Sequence, residues 1–229
     1  MSPAAAGRLG RRIDFTQHLH ASTTRDYVAR VVEYDKAECA AVAGQFGAEY
    51  WDGDRRYGYG GYSYDGRWLP VAQAIAEHYG LRAGQRVLDV GCGKGFLLYE
   101  LTRAVPGLEV AGLDVSAYAL EHAKEEVASA LTLGNAARLP YADDSFDLVL
   151  SLGTLHNLGI GDLFSALGEI ERVARSAAYV MVESYRDERE KANLLYWQLT
   201  ARSLHAVEDW EWIYREAGYS GDYGFIFFT

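Results

Sequence analysis

The chain has 229 residues, a mass of 25.4 kDa and a hydrophobic fraction of 49%. This length suffices for one α/β domain with a sizeable core and an appendage. The net charge of −10 argues against nucleic acid as a partner, because binding to a phosphate backbone relies on clustered lysines and arginines.

No apolar run approaches the length of a transmembrane helix, and the N-terminus lacks the apolar segment of a signal peptide. The two cysteines, Cys39 and Cys92, are far apart in the sequence. We therefore expect a soluble, reduced cytoplasmic protein with no disulfide and no membrane partner, as a monomer or homodimer.

The N-terminal region contains three predicted segments. Residues 1–22 show no periodicity, so a disordered tail is expected in which His18 and His20 are solvated rather than metal-bound. Apolar residues at helical spacing then predict one helix from Thr24 to about Phe46. Residues 23–70 together form a predicted N-terminal unit of helix and loop.

The segment from Tyr50 to Trp68, here called the aromatic loop, contains five tyrosines, two tryptophans and five glycines. So many glycines exclude a regular helix. The aromatic residues could simply attach the N-terminal helix to the domain. Alternatively the segment is a lid, because aromatic faces attract organic cations and tyrosine hydroxyls orient polar ligands.

A helix is predicted from Pro70 to Gly80, with His78 packed on its core side. The next segment, RVLDVGCGKG from Arg86 to Gly95, reads as a buried strand that ends in a glycine turn before a helix. Its glycine spacing is G-x-G-x-G, whereas a dinucleotide fingerprint needs G-x-G-x-x-G. A P-loop is disfavoured further, because no G-K-[ST] ending follows.

This stretch, including Asp89 before the first glycine, resembles motif I of the class I S-adenosylmethionine (SAM) dependent methyltransferases. The resemblance implies SAM as cofactor and S-adenosylhomocysteine as product. The aromatic loop is also similar to that of a group of bacterial small-molecule methyltransferases.

Asp114 ends the next predicted strand, roughly 20 positions beyond the glycine turn. A carboxylate there can accept both ribose hydroxyls, since it offers two acceptor oxygens. Dinucleotide enzymes share this feature, and a helix-capping role beside Ser116 is the alternative.

Residues 134–149 follow a short strand at 131–133 and resemble the G-D-A-x-x-L-P-F-x-D-x-S-F-D-x-V segment of the branch that includes the quinone C-methylases. In that family the acid after the glycine binds the adenine amino group. Here Asn135 takes that position, and its amide can still accept and donate. The aspartates at 143, 144 and 147 are expected to be solvated rather than to bind metal.

The later elements complete the predicted fold. Strands at 146–151 and 177–182 lead to His156 and to Glu183 at the same sheet edge, where such folds keep their chemistry. Arg186 to Lys191 is interpreted as a solvated charge run, and a helix at about 207–217 precedes a last strand at 223–228. The family usually has two strands after the fifth, so a Rossmann-like seven-stranded methyltransferase sandwich with abbreviated C-terminal strands is expected over residues 71–229.

The predicted reaction is methyl transfer to an O, N or C nucleophile of a small molecule, in secondary metabolism or surface-sugar biosynthesis. His156 is the first candidate for a general base, since its ordinary pKa lies near neutrality. Packing against the cofactor is its alternative role, and Glu183, Tyr185 and His205 are the other candidate bases. A non-catalytic SAM-binding protein and an aminopropyl transferase are the alternatives.

The candidate cofactor-binding residues are Asp89, Gly91, Cys92, Gly93, Asp114, Val115, Asn135, Ala136, Ser151, Leu152, Tyr57 and Gly61. The candidate substrate residues are Tyr62, Tyr64, Trp68, Glu183, Tyr185 and His205.

Overall fold

The computed structural model describes residues 8–17, 19 and 25–229. Six strands form one parallel sheet in the order β3-β2-β1-β4-β5-β6. The strands are β1 (Arg86–Val90), β2 (Glu109–Asp114), β3 (Leu131–Leu133), β4 (Phe146–Leu152), β5 (Ala174–Glu183) and β6 (Asp222–Ile226). The expected mixed α/β fold is confirmed, and within the described residues a single strand follows the fifth, in line with the expected abbreviated sheet.

Helices cover both faces of this sheet. They are α1 (Tyr27–Val32), α2 (Lys36–Ala43), α3 (Ala48–Trp51), α4 (Leu69–Tyr79), α5 (Phe96–Ala104), α6 (Ala117–Glu121), α7 (Glu125–Ala128), α8 (Ile160–Val173), α9 (Glu188–Trp197) and α10 (Val207–Glu216), with a 3₁₀ turn at Leu155–Asn157. Over the part of the chain that the structure describes, no helix is long and apolar enough to cross a membrane.

Alternating strand residues divide the core between the two faces. Leu88 packs with the helices α8 and α10, whereas Val87 packs with α4, α5 and α9. Side chains one residue apart on a strand point to opposite faces. Asp89 therefore lies on the Val87 face, and Ser151 lies on the opposite one.

The predicted N-terminal helix is interrupted. Asp35 accepts hydrogen bonds from the backbone N–H groups of Ala37 (2.8 Å) and Glu38 (3.0 Å) and so begins a new helix, α2. This N-cap satisfies donors that a continuous helix would have bonded internally, which is why the chain breaks at residues 33–35.

The predicted tail also differs in its described part. Residues 10–13 run parallel to β6: Ile13 donates its N–H to Tyr223 O (2.8 Å), and Tyr223 donates to Arg11 O (3.0 Å). The edge of β6 otherwise presents unpaired backbone groups, and this segment satisfies them. His18 and His20 lie outside the described residues.

The predicted solvated run at 186–191 is exposed at residues 186–189 and wrong at Glu190, and it also begins α9. Asp187 caps that helix by accepting the N–H groups of Arg189 and Glu190. Glu190 is buried and pairs with Arg186. Neighbouring charges in the sequence conceal this helix, which packs Leu194 into the core.

Candidate functional site

The glycine turn joins β1 to α5 at the carboxyl edge of the sheet. Gly91, Gly93 and Gly95 have φ angles of +85°, +53° and +73°, which side-chain-bearing residues rarely adopt. A Cβ on Gly91 would collide with the side chain of Thr154. The turn thus has no room for a side chain there, and its backbone is open to a ligand.

Asp114 ends β2 beside this turn. Its Oδ2 accepts the N–H of Gly93 (2.7 Å), and its Oδ1 accepts the N–H of Ser116 (2.8 Å). Burial raises the pKa of Asp114, and these backbone N–H groups oppose the rise. The two bonds fix the carboxylate plane and leave further lone pairs for a diol.

A cavity of 330 Å³, here called the β2 cavity, opens beside Asp114. Its walls include Val115, Asn135 and Ala136. The Oδ1 atom of Asn135 accepts the N–H of Ala137 at 2.8 Å, which orients the amide. Carboxylate and amide groups along an apolar wall suit a nucleoside.

A second cavity of 390 Å³, here called the β5 cavity, lies on the other side of Gly91. Asp89 and Glu183 contribute its carboxylates, and Leu97 and Met181 its apolar wall. Burial, with the nearby charge of Asp114, raises the pKa of Asp89 to about 7. Its Oδ1 is buried and has no hydrogen-bond partner among the described residues.

An orphaned buried carboxylate oxygen is costly unless a ligand satisfies it. The ammonium group of a methionyl moiety carries three donors and a positive charge, so it fits Asp89. The residues present therefore fit SAM. Among residues 8–17, 19 and 25–229, no three His, Cys, Asp or Glu side chains lie together as a metal site would require.

The aromatic loop covers the junction of the two cavities. Trp51 and Tyr59 stack at 5.3 Å with an interplanar angle of 13°, and both line both cavities. Tyr62 stacks on Phe96 at 5.1 Å. The aromatic rings thus form a wall opposite Gly91, where a cation would contact their faces.

An ion pair between the buried Lys94 and the partly exposed Asp52 ties the aromatic loop to the glycine turn. Lys94 Nζ lies 2.8 and 2.7 Å from the two carboxylate oxygens of Asp52 and donates to Tyr62 O at 2.9 Å. Tyr118 also donates to Asp52 at 2.9 Å. Lys94 is therefore engaged by the loop through three acceptor atoms.

His156 lies behind Glu183. Its Nδ1 accepts the backbone N–H of Glu183 (3.4 Å), so we assign the remaining proton of the neutral ring to Nε2, 3.6 Å from Glu183 Oε2. Burial lowers the pKa of His156, although the charge of Glu183 opposes this. Gln198 donates to the same carboxylate oxygen.

The structure brings most of the sequence-predicted residues to the cavities and leaves six away from their walls. Those that line one or both cavities are Asp89, Gly91, Cys92, Gly93, Asp114, Val115, Asn135, Ala136, Leu152, Gly61, Tyr62, Trp68 and Glu183. The walls do not include Ser151, His156, Tyr57, Tyr64, Tyr185 and His205.

Specific contacts account for three of these positions. The hydroxyl of Ser151 donates to Val90 O at 2.9 Å, within the sheet. The hydroxyl of Tyr64 donates to Glu100 at 2.5 Å, on α5. His205 packs edge-on against Trp210 at 5.1 Å.

Several residues of the site are not predicted by the sequence. Trp51, Tyr59, Arg25, Arg55 and Trp197 line the β5 cavity and are absent from the candidate residues above. For Trp51 and Tyr59, the aromatic composition of the loop as a whole is the feature of the sequence that indicates a role in the site. No local pattern points to Arg25 or Trp197, which tertiary contacts bring together.

A family model described as a methyltransferase domain matches residues 81–218, more than half of the chain. A demethylmenaquinone methyltransferase of Staphylococcus aureus (strain JH9) is 38% identical over 112 residues, or 47% of this chain and 46% of that protein. The aligned part thus spans about half the length of this curated relative.

Solved structures share the fold. The YcgJ protein of Bacillus subtilis has a TM-score of 0.53 at 22% identity, covering 67% of this chain and 68% of that one. A phosphoethanolamine N-methyltransferase 2 of Haemonchus contortus has a TM-score of 0.51 at 22% identity, covering 86% and 44%. The match to the family model, the order of the motifs and the parallel sheet agree with these likenesses. The chain therefore belongs to the methyltransferase domain family and has the fold of the class I SAM-dependent methyltransferases.

Proposed function

We propose that the protein transfers a methyl group from SAM to a small-molecule acceptor held in the β5 cavity. The observation that carries this proposal is the pair of cavities meeting at Gly91. One has a carboxylate and an amide suited to a nucleoside, and the other has an orphaned carboxylate oxygen suited to an ammonium group. An adenosyl and a methionyl group in one molecule match this division.

The binding roles follow from the geometry of the chain. Asp114 would accept the ribose hydroxyls, since the bonds from Gly93 and Ser116 already orient its oxygens. Asn135 would meet the adenine edge, and Asp89 the ammonium group. SAM, when bound, supplies a methyl group activated by its sulfonium, with a neutral thioether as leaving group.

The aromatic loop acts as a lid in this proposal. Trp51 and Tyr59 lie at the junction of the cavities, where their faces would stabilise a sulfonium and exclude water. Positioning and water exclusion are the main demands of methyl transfer, because the donor is already activated. The ion pair between Lys94 and Asp52 would hold the lid closed.

Glu183 is the proposed acceptor of a proton from an O or N nucleophile. It lines the β5 cavity, whereas His156 does not. We assign His156 a positioning role, because its Nδ1 and Nε2 contact the backbone and carboxylate of Glu183. The bond from Gln198 fixes the same carboxylate from a second side.

The likeness of the aromatic loop to that of bacterial small-molecule methyltransferases supports a small molecule as the acceptor, and secondary metabolism or surface-sugar biosynthesis is the proposed context. An aminopropyl transferase is disfavoured because its polyamine needs acidic walls, whereas the wall of the β5 cavity sets Arg25, Arg55 and Arg67 beside its two carboxylates.

Calorimetric titration with S-adenosylhomocysteine and, separately, with NADH tests the cofactor assignment. We expect saturable binding of S-adenosylhomocysteine and none of NADH at similar concentrations. Tight NADH binding without S-adenosylhomocysteine binding would refute the proposal. Transfer of radiolabel from methyl-labelled SAM to a small-molecule extract then separates an enzyme from a non-catalytic SAM-binding protein.

A further inference from the structure

Three arginines surround the indole ring of Trp197 beside the β5 cavity. The guanidinium carbons of Arg25, Arg30 and Arg55 lie 5.6, 4.7 and 5.1 Å from the ring centroid. Arg25 also lies 5.0 Å from the ring of Phe228. The chain as a whole carries a net charge of −10, so this concentration of positive charge is local.

These three arginines have no carboxylate partner. The ion pairs of the described residues involve none of them. The residues outside the described ranges include no aspartate or glutamate. Arg25 Nε is buried and has no hydrogen-bond partner within the described part of the chain.

Burial and close approach disfavour the charged forms of Arg55 and Arg30, as the direction of their pKa shifts indicates. Burial, with the repulsion of Arg25, lowers the pKa of Arg55. Burial and the charge of Arg55 likewise lower the pKa of Arg30. Like charges gathered at a partly buried site destabilise the protein unless an anion joins them.

The carboxylates of the same cavity do not serve as that anion. Glu183 is bonded by Gln198 and faces His156. Asp89 takes part in none of the ion pairs of the described residues. Arg67 also lines the cavity, but it is paired with Asp65. Among the described arginines that line the β5 cavity, Arg25 and Arg55 lack such a partner.

Stacking on an aromatic ring suits a guanidinium for anion binding. The ring holds the guanidinium plane, while the N–H groups at its edge can still donate to a planar carboxylate or to phosphate oxygens in pairs. Arg55 uses only Nη1 in its bond to Gly58 O, at 2.5 Å. Arg30 is less available, because it donates to the carbonyl oxygens of Trp197 and Arg55.

We propose that Arg25 and Arg55 form an anion subsite in the β5 cavity, which holds a carboxylate or phosphate group of the methyl acceptor. This inference rests on the proposed function and narrows the acceptor to an anionic small molecule. Both arginines precede residues 81–218, the part that matches the methyltransferase domain. The subsite is thus a feature of the N-terminal unit of this chain.

The test uses the full chain, first saturated with S-adenosylhomocysteine. Inorganic phosphate and acetate are then titrated separately into this complex in a calorimeter, at constant ionic strength. We expect one or both anions to bind saturably, and the tighter one identifies the group. Arg25→Gln and Arg55→Gln should each weaken that binding on the order of 10-fold or more, since a charged hydrogen bond contributes about 1.5–3 kcal/mol. Arg175→Gln removes one positive charge from the pair with Asp147 near the start of β5 and should change nothing.

The binding of S-adenosylhomocysteine in the same samples separates the two kinds of failure. If it binds but neither anion does, or if both glutamine variants bind anion as the parent does, the subsite is refuted. If S-adenosylhomocysteine itself does not bind, the proposed function fails and the inference falls with it. If the glutamine variants do not fold, Arg25→Lys and Arg55→Lys replace them. These variants keep the charge but lose the planar fork, so they should bind the anion with intermediate affinity.

Discussion

The indole ring of Trp51 occupies the space next to Gly93 that a side chain would need. A Cβ built on Gly93 would lie 2.8 Å from Trp51 Cη2. Trp51 also donates from Nε1 to Ser116 Oγ at 2.9 Å. One side chain of the aromatic loop therefore contacts both the glycine turn and the end of β2, the two segments proposed to hold the cofactor.

Gly93→Ala should weaken binding of S-adenosylhomocysteine because the new methyl group displaces Trp51, and not because it contacts the ligand. The positive φ at position 93 adds strain of its own. Trp51→Ala should therefore partly rescue Gly93→Ala, and a double-mutant cycle by calorimetry measures this coupling. Equal losses from Gly93→Ala in the two backgrounds would show that Trp51 is not the obstacle. Cys92→Ala should have a mild effect.

The ion pair between Lys94 and Asp52 should control closure of the aromatic loop. Asp52→Ala leaves the buried ammonium of Lys94 uncompensated, which typically costs about 3–5 kcal/mol for a fully buried pair and less here, where Asp52 is a third exposed. Lys94→Met removes the charge and should be milder.

Limited proteolysis near Arg55 and Arg56 measures loop opening. We expect the fastest cleavage in Asp52→Ala, slower cleavage in Lys94→Met, and protection of the parent by S-adenosylhomocysteine. Asp65→Ala breaks the exposed pair with Arg67 and is the control. Identical rates with and without saturating S-adenosylhomocysteine would mean that the loop is only a structural attachment.

Asp89→Asn should stabilise the free protein and weaken cofactor binding. The pKa of Asp89 is raised to about 7, so between its ordinary value and pH 7 the folded state binds more protons than the unfolded state. Its contribution to stability therefore falls as pH rises through that range. The Asp89→Asn variant should lack this dependence, which thermal unfolding at about pH 5.5 and pH 8 detects.

Binding shows the opposite trend, because only the ionised carboxylate attracts an ammonium group. Affinity of the parent for S-adenosylhomocysteine should fall roughly tenfold between about pH 8 and pH 6, and Asp89→Asn should abolish this change. A flat parent profile would contradict the assignment of Asp89 to the ammonium group.

Asp114→Asn should lower the affinity for S-adenosylhomocysteine on the order of 10- to 100-fold, as expected for a lost charged hydrogen bond. Asparagine is preferred to alanine here, because it can still accept one of the two backbone N–H groups that Asp114 holds. Calorimetry gives the affinity, and circular dichroism confirms the fold. Unchanged affinity would exclude Asp114 from ribose binding.

Glu183→Gln should reduce kcat strongly and leave the binding of S-adenosylhomocysteine intact, once an acceptor is in hand. His156→Asn should reduce kcat less and shift the pH profile of kcat, because it alters the support of Glu183 rather than the proton acceptor itself. A larger loss of kcat in His156→Asn than in Glu183→Gln would return His156 to the role of base.

Local patterns are sufficient where a residue's position on an element determines its direction. Gly91 follows β1 and Asp114 ends β2, and parallel strands bring their carboxyl ends to one edge. Ser151 shows the limit of that reasoning: it lies at the same edge, but the period of two turns it to the opposite face. His156 lies in a 3₁₀ turn, whose orientation no periodicity predicts.

Residues assembled by tertiary contacts could not be predicted. Arg25 and Trp197 are distant in the sequence, yet they meet because α1 packs against α9. The charge run that begins α9 suggests solvent exposure and so hides the helix that carries Trp197. Lys94 belongs to the glycine motif in the sequence, and its partner Asp52 lies in a loop without regular spacing.

The pairing of residues 10–13 with β6 has a consequence for the order of synthesis. Gly10 is synthesised well before Gly221, which accepts its N–H at 3.2 Å. Residues 10–13 therefore have no docking place until β6 has left the ribosome. We expect the β5 cavity to mature only after β6 has emerged, because Ile226 and Phe228 line it. Ribosome-bound chains halted before β6 should fold their central strands but leave residues 10–13 undocked.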